Sequence, residues 1–360
     1  MNILHTESSA GWGGQEIRIL REAEGMRDRG HSLLFVVQPG GGLASRAREK
    51  GFIVYEYSFH KRFALSTIRM LMKVCKRHSI DIMNTHSSKD AWLGGIAARI
   101  LGIKLIRTRH LSTPSRPGLN CRLLYKTLAD CVVTTSSCII PSIQLGAKRS
   151  LSSIHCIPTG VDPHAMMVKE EDVAAFRESI GVQQNDILIG TTCFVRSWKG
   201  IQDLFQAALI LKERKEIKWL VVGGGYVDNY RPKINELGLS GVVTFVGHIE
   251  TPFVAMRAMD IFTLLSTAHE GISQASIQAA FLERPLITTT IGGLPEVCID
   301  GKTGLLVPPF SPEDVAQAAI RLIENPSLRQ SYGKNGKELV LQKYTFKQTL
   351  DSMQAIYDTI

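Results

Sequence analysis

No apolar run in this 360-residue chain approaches the roughly 20 residues that a helix needs to cross a bilayer, so an integral helical membrane protein is excluded. Cysteine is sparse and unpaired in pattern. The seven cysteines are odd in number and include no Cys-x-x-Cys, which argues against both a disulfide framework and a zinc site. There is no Gly-x4-Gly-Lys-Ser/Thr loop, which disfavours a P-loop nucleotidase, and no Asp-x-Asp, the simplest carboxylate pair for holding a divalent metal. The chain opens on Met1-Asn2-Ile3-Leu4-His5 without the basic segment and small-residue cleavage site of a secretory signal, so a cytoplasmic protein is expected.

What is present is a near-average globular composition, 44% hydrophobic and 21% charged. At roughly 150 residues per domain, this length suggests two domains. Charge is unevenly divided. Residues 1–165 carry 23 Lys/Arg and 11 Asp/Glu, net +12, whereas residues 166–360 carry 19 and 22, net −3. A basic half suits a nucleic acid, an anionic membrane surface or a phosphorylated substrate. No aromatic interleaving or recognisable module supports nucleic acid. The segment Lys61-Arg62-Phe63-Ala64-Leu65 through Arg77 mixes cations with apolar residues at helical spacing, the composition of an interfacial helix, although a core helix with a solvated basic edge has the same pattern.

Short apolar runs alternate with segments of helical period, which predicts βαβ units on parallel sheets. Strands are expected at 3–5, 33–37, 53–57, 82–85, 105–108 and 132–135, with helices at 16–29, 43–50 and 91–101, each stopped by glycine. The pattern restarts with strands at 187–192, 219–222, 242–246, 261–264, 286–289 and 305–307, and helices such as 201–213 and 312–324. The turn-rich Ile157-Pro158-Thr159-Gly160-Val161-Asp162-Pro163 is the expected join. The fold class is therefore α/β, with two doubly wound domains spanning 1–163 and 164–344.

Open parallel sheets bind ligands at the carboxyl ends of their strands, and the candidate residues lie just after strands. Gly11-Trp12-Gly13-Gly14-Gln15-Glu16 opens a helix, where glycine backbone and the helix dipole favour phosphate. Gly223-Gly224-Gly225 and Gly292-Gly293 are similar turns. Arg196-Ser197-Trp198-Lys199-Gly200 brings two cations to a loop-helix junction, which suits a diphosphate. Glu270 sits before another helix, where an acid could serve only the dipole, a gain of about 0.3–1 kcal/mol.

Taken in order, GGQE at 13–16, TRH at 108–110, IPTGVD at 157–162, RSWKG at 196–200, EGISQASIQAA at 270–280, GGLPEV at 292–297 and DGKTGLLVPP at 300–309 resemble the retaining glycosyltransferases of the GT-B fold, family 4. The resemblance implies two Rossmann-like domains facing across a cleft. The N-terminal one takes a glycolipid or polysaccharide acceptor and the C-terminal one a nucleotide-sugar, and a final segment, 345–360, crosses back to the first domain. It implies transfer of a hexose-type sugar in cell-envelope or lipopolysaccharide synthesis, without a cofactor or metal, by a cytoplasmic protein peripheral on the inner face of the plasma membrane.

The resemblance also assigns roles. His110 would lie beside the donor sugar, with His86 a second candidate. Arg196 and Lys199 would neutralise the leaving diphosphate, with Gly13 and Gly14 against the same phosphates and Gly223 and Gly224 in a phosphate-binding turn. Glu270 would contact sugar hydroxyls, and Gly271, Ile272 and Ser273 would offer amides. Two departures stand out. Phe194 occupies the place of the family's usual arginine, so that Arg196 is expected to substitute, and Gln278 replaces the second acid of the E-x7-E pattern, which weakens the expected ribose contact. A catalytically silent nucleotide-sugar binder and a nonhydrolysing sugar-nucleotide epimerase are the alternative functions.

Overall fold

The computed structural model describes residues 1–360, which divide into two compact units, 1–159 with 347–360, and 160–346. In the first unit seven strands, β1 (Asn2–Glu7), β2 (Ser32–Val37), β3 (Ile53–Glu56), β4 (Ile82–Thr85), β5 (Lys104–Arg109), β6 (Cys131–Thr134) and β7 (Ile154–Cys156), form one sheet. Its order is β3-β2-β1-β4-β5-β6-β7, and every pairing is parallel. Parallel strands covered by helices on both faces read as continuous apolar runs; Leu33 to Val37, all buried, is one.

The second unit carries β8 (Ile187–Thr192), β9 (Ile217–Val222), β10 (Val243–Gly247), β11 (Ile261–Leu264), β12 (Leu286–Thr289) and β13 (Gly304–Val307). They form an all-parallel sheet of order β10-β9-β8-β11-β12-β13. The strand order reverses between β1 and β4 in the first sheet and between β8 and β11 in the second. Those are the points at which the connections on either side diverge and open a crevice.

The first unit closes at Thr159, inside the expected join of residues 157–163 and four residues before the boundary expected at 163. Val161 belongs to the second unit because its amide donates to Tyr344 O (2.8 Å) and its carbonyl accepts from Phe346 N (2.7 Å). The helix Phe346–Thr359 then packs on the first unit through buried Leu350, Met353, Ile356 and Tyr357. Arg29 pairs with Asp351 at 2.6 Å, and Thr349 Oγ1 donates to Pro158 O at 2.9 Å. No helix is long and apolar enough to cross a membrane.

Candidate functional site

In the second unit, chemistry gathers around the reversal between β8 and β11. The loop after β8 leads through Gly200 into the helix Ile201–Ile210, and the loop after β11 leads into the helix Gln274–Phe281. The two loops are tied together: Thr267 N donates to Trp198 O at 2.8 Å, and the His269 ring meets Trp198 edge-on at 5.5 Å. Gly200, at φ +66, lies so close that a Cβ would fall within 3.0 Å of Leu265 O. The loop after β12 completes the frame, because Gly293 N donates to Glu270 O at 3.2 Å.

Within this frame Lys199 Nζ is ion-paired with Glu270 Oε1, which also accepts from Ser266 Oγ at 2.6 Å. Glu270 is 6% exposed, so its carboxylate is held by these two partners and not by bulk water. His269 adopts the left-handed conformation (φ +60), uncommon for a residue with a side chain, and so aims the residue that follows it. Lys199 and Glu270, 71 residues apart in sequence, are thus brought together.

Arg196 takes no part in that ion pair. Its guanidinium stacks over the Phe194 ring at 4.6 Å and faces Trp198 at 5.3 Å. With Ser197, Trp198, Tyr226, Asn229 and Tyr230 it lines a pocket of about 360 Å³. Gly271, Ile272 and Ser273 directly precede the helix Gln274–Phe281, and Ser273 caps it by accepting from Ser276 N. Gln278 lies half-buried on that helix's second turn. Gly223 (φ +143) packs against Cys193 O, leaving no room for a Cβ, whereas a Cβ at Gly224 would make only an ordinary contact with His248 at 3.5 Å. Backbone packing therefore already requires glycine at 223.

In the first unit, the helix after β1 spans Gly14–Asp28, two residues earlier at its start than the pattern indicated. The cause is Glu16, whose carboxylate reaches back to accept from Gly13 N at 2.9 Å and caps the helix. A Cβ at Gly14 would meet nothing within 4 Å, so this helix end is open to a ligand. Beside it, Glu7 at the end of β1 accepts from Ser9 N at 2.6 Å and from Gln15 Nε2. Burial, then the neighbouring Asp90, push the Glu7 carboxyl up to about 7. Asp90 itself is raised by burial. It accepts from His86 N (2.9 Å), Thr6 Oγ1 (3.1 Å) and Ser8 Oγ (3.0 Å).

His86 and His110 follow β4 and β5 directly, and the structure joins them: His86 Nδ1 and His110 Nε2 share a hydrogen bond of 3.0 Å. The other ring nitrogen of His86 is bonded to His5 Nδ1 at 2.9 Å. His5, Glu7, Asp90 and Ser266 were not singled out from the sequence. Ser87-Ser88-Lys89-Asp90 has the spacing of a capping box, so of the four only Asp90 left a signal.

The segment 61–77 forms a short turn, Lys61–Phe63, and the helix Ala64–Arg77. Thr67, Leu71, Val74 and Cys75 face the core, whereas Phe63 and Leu65 are 39% and 71% exposed beside exposed Lys61, Arg62 and Arg69.

Comparison with known proteins places both units in one group. Residues 12–165 match the family described as Glycosyltransferase Family 4, and residues 172–339 match Glycosyl transferases group 1. The capsular polysaccharide biosynthesis glycosyltransferase CapM of Staphylococcus aureus is 28% identical over 49% of this chain and 47% of its own length. The first relatives are matched in this way over only about half their length. The N-acetyl-alpha-D-glucosaminyl L-malate synthase of Bacillus anthracis is 24% identical over 92% of this chain and 90% of its own. Among solved structures, Anabaena Alr3699/HepE in complex with UDP superposes with a TM-score of 0.89 over 100% of both chains at 21% identity.

Proposed function

Because the chain belongs to the glycosyltransferases of group 1 and family 4 and has their GT-B fold, we propose that it transfers a hexose-type sugar from a nucleotide-sugar to a glycolipid or polysaccharide acceptor, with retention of configuration and without a metal. The observation that carries this reading is the Lys199–Glu270–Ser266 cluster at the strand reversal of the second unit, framed by the loops after β8, β11 and β12.

Breaking the bond between the sugar and the diphosphate sends its electron pair to a phosphate oxygen and leaves oxocarbenium character at the anomeric carbon. Preorganised cations and amides at the developing charge supply the main stabilisation. Lys199 takes that role, exchanging part of its bond to Glu270 for the diphosphate, and Glu270 is then free to accept from sugar hydroxyls. Arg196 supplies a second cation. Its guanidinium lies over Phe194, the position where the family carries arginine, which supports the substitution. The Gly271–Ser273 amides, Gly224 and the open helix end at Gly13 and Gly14 are assigned to phosphate, Gln278 to the ribose and His110 to the transferred sugar. The acceptor oxygen bonds to the anomeric carbon on the face that the phosphate leaves, and its proton passes to the departing phosphate oxygen. With no Asp-x-Asp in the chain, the two cations stand in for a metal.

The acceptor's surface is assigned to the basic first unit, and exposed Phe63 and Leu65 among exposed Lys61, Arg62 and Arg69 support contact with an anionic membrane. Co-sedimentation with anionic vesicles that is unaffected by removing these three charges would remove that assignment.

Donor choice is tested by thermal shift with UDP-, GDP- and ADP-sugars in excess EDTA. A donor present at about 100 times its Kd stabilises by about 2.7 kcal/mol, an increase in Tm of several degrees. One nucleotide class should raise Tm in EDTA and be consumed on addition of acceptor. Binding without consumption would leave a silent nucleotide-sugar binder, and no shift from any donor would contradict the proposal.

A further inference from the structure

Three histidines lie in a row across adjacent strands of the first sheet. His5 is inside β1, while His86 and His110 follow the ends of β4 and β5, its next two neighbours. His86 is bonded at both ring nitrogens, to His5 Nδ1 (2.9 Å) and to His110 Nε2 (3.0 Å), and its ring is within 4° of the plane of His5. It is also fixed from behind, because its main-chain N–H donates to Asp90. His110 Nδ1 is the open end of the row. The closed end is His5 Nε2, which is buried without a partner.

A row of this kind has one proton in each link and one at an end. Burial holds His5 neutral, with its pKa down to about 3, and pushes His86 and His110 down as well, the latter helped by Arg18 and Arg107. Two arrangements remain for three neutral rings. In one, the end proton is on His5 Nε2 and every link points inward. In the other, His5 Nε2 is a bare lone pair, every link points outward, and His110 carries its proton on Nδ1.

The surroundings choose between them. Arg18 Nη2, Asn84 Nδ2 and Arg107 Nε are already buried in this unit without acceptors, and the one orphaned carboxylate oxygen on the helix of Arg18, Glu22 Oε2, faces Arg18 Nε at 3.5 Å. A further buried N–H without an acceptor at His5 Nε2 is the costlier choice, since orphaned buried donors are rare in proteins, whereas a proton on His110 Nδ1 sits at the open end, where water or a substrate can accept it. The lone pair belongs on His5, and the proton belongs at the open end.

We propose that His5 and His86 are positioning residues that hold His110 with its proton on Nδ1, so that His110 donates a hydrogen bond to the substrate and does not serve as its base. That His110 meets substrate rests on the function proposed above; the protonation pattern does not. The consequence for the reaction is that the acceptor's proton has the departing phosphate as its destination.

The test is two-bond ¹H–¹⁵N correlation on the full chain with ¹⁵N-labelled histidine, using His110→Gln to assign the signal. The expected spectrum shows His110 with a bare Nε2 and a protonated Nδ1. In His86→Phe, which removes both links, it should move toward the Nε2–H form that predominates in free histidine. Activity of His86→Phe should fall by about 10–100-fold in kcat, the scale of losing a group that orients a functional histidine, with donor binding weakened only several-fold, the scale of one neutral hydrogen bond. His86→Gln, whose amide can donate to His110 Nε2, should recover part of the loss. A wild-type His110 protonated on Nε2, or one whose form is the same in His86→Phe, would overturn the proposal. The wild-type spectrum decides even if the variant does not fold. A protein with the expected spectrum that transfers no sugar would refute the proposed function and leave the histidine row standing.

Discussion

Arg196→Ala and Lys199→Ala should each lower kcat by about 10²–10³-fold, the effect of removing one preorganised group from a developing negative charge, but the two should differ in what else they do. Lys199 is a partner of a carboxylate that is only 6% exposed. Its loss leaves Glu270 with Ser266 alone and costs stability by about 1–3 kcal/mol, the penalty of an unpaired buried polar group. Arg196 is exposed, and its contacts are with the rings of Phe194 and Trp198. Its loss should move stability by no more than about 0.5 kcal/mol. Steady-state kinetics beside thermal unfolding separates the two. Near-normal turnover in Arg196→Ala would take that residue out of the diphosphate site, and an unchanged Tm in Lys199→Ala would mean that the ion pair adds nothing to the fold.

Gly292→Ala should be among the most damaging single substitutions in the second unit. Its φ of +58 disfavours any side chain, and the new Cβ would fall within 3.0 Å of Glu270 O, a backbone atom that cannot swing aside. The left-handed backbone costs about 1–2 kcal/mol and the overpacking about 1–3 kcal/mol. Together they amount to about 2–5 kcal/mol, or roughly 5–15 °C in Tm for a unit of this size. Because the displaced atom belongs to Glu270, the surviving folded fraction should also lose activity. Calorimetry of the variant checks this, and a Tm within about 2 °C of the parent would show that the β12 loop yields without strain. Gly14→Ala is the contrast: a Cβ there meets nothing within 4 Å.

How far the sequence anticipates these features depends on the range of the interaction. Twelve of the thirteen strands correspond to apolar runs, because burial on both faces of a parallel sheet demands them. The missing one, β7, is only Ile154-His155-Cys156, with an exposed histidine at its centre, too short to show a period. Helix starts shift for local reasons, as where Glu16 caps Gly13. Motif order is enough to single out Lys199, Glu270 and His110, and a place just after a strand marks His86 as a weaker candidate. It could not indicate that the first two are bonded to each other, or that His5 completes a row with the other two. Those links join residues 71 and 81 apart and follow from strand order, which no local pattern records. Nor could spacing indicate that the Arg196 guanidinium rests against the rings of Phe194 and Trp198, contacts that depend on how the loop after β8 folds.

Retaining, metal-independent transfer, as proposed above, is read out by the stereochemistry of the first product. The donor that shifts Tm most is incubated with the protein and acceptor in excess EDTA, and the anomeric proton of the new glycoside is followed by ¹H NMR from the earliest time points. An α-linked donor should give an α-linked product, at a rate that added manganese does not raise. A β-linked product, or activity abolished by EDTA and restored by manganese, would contradict the proposal.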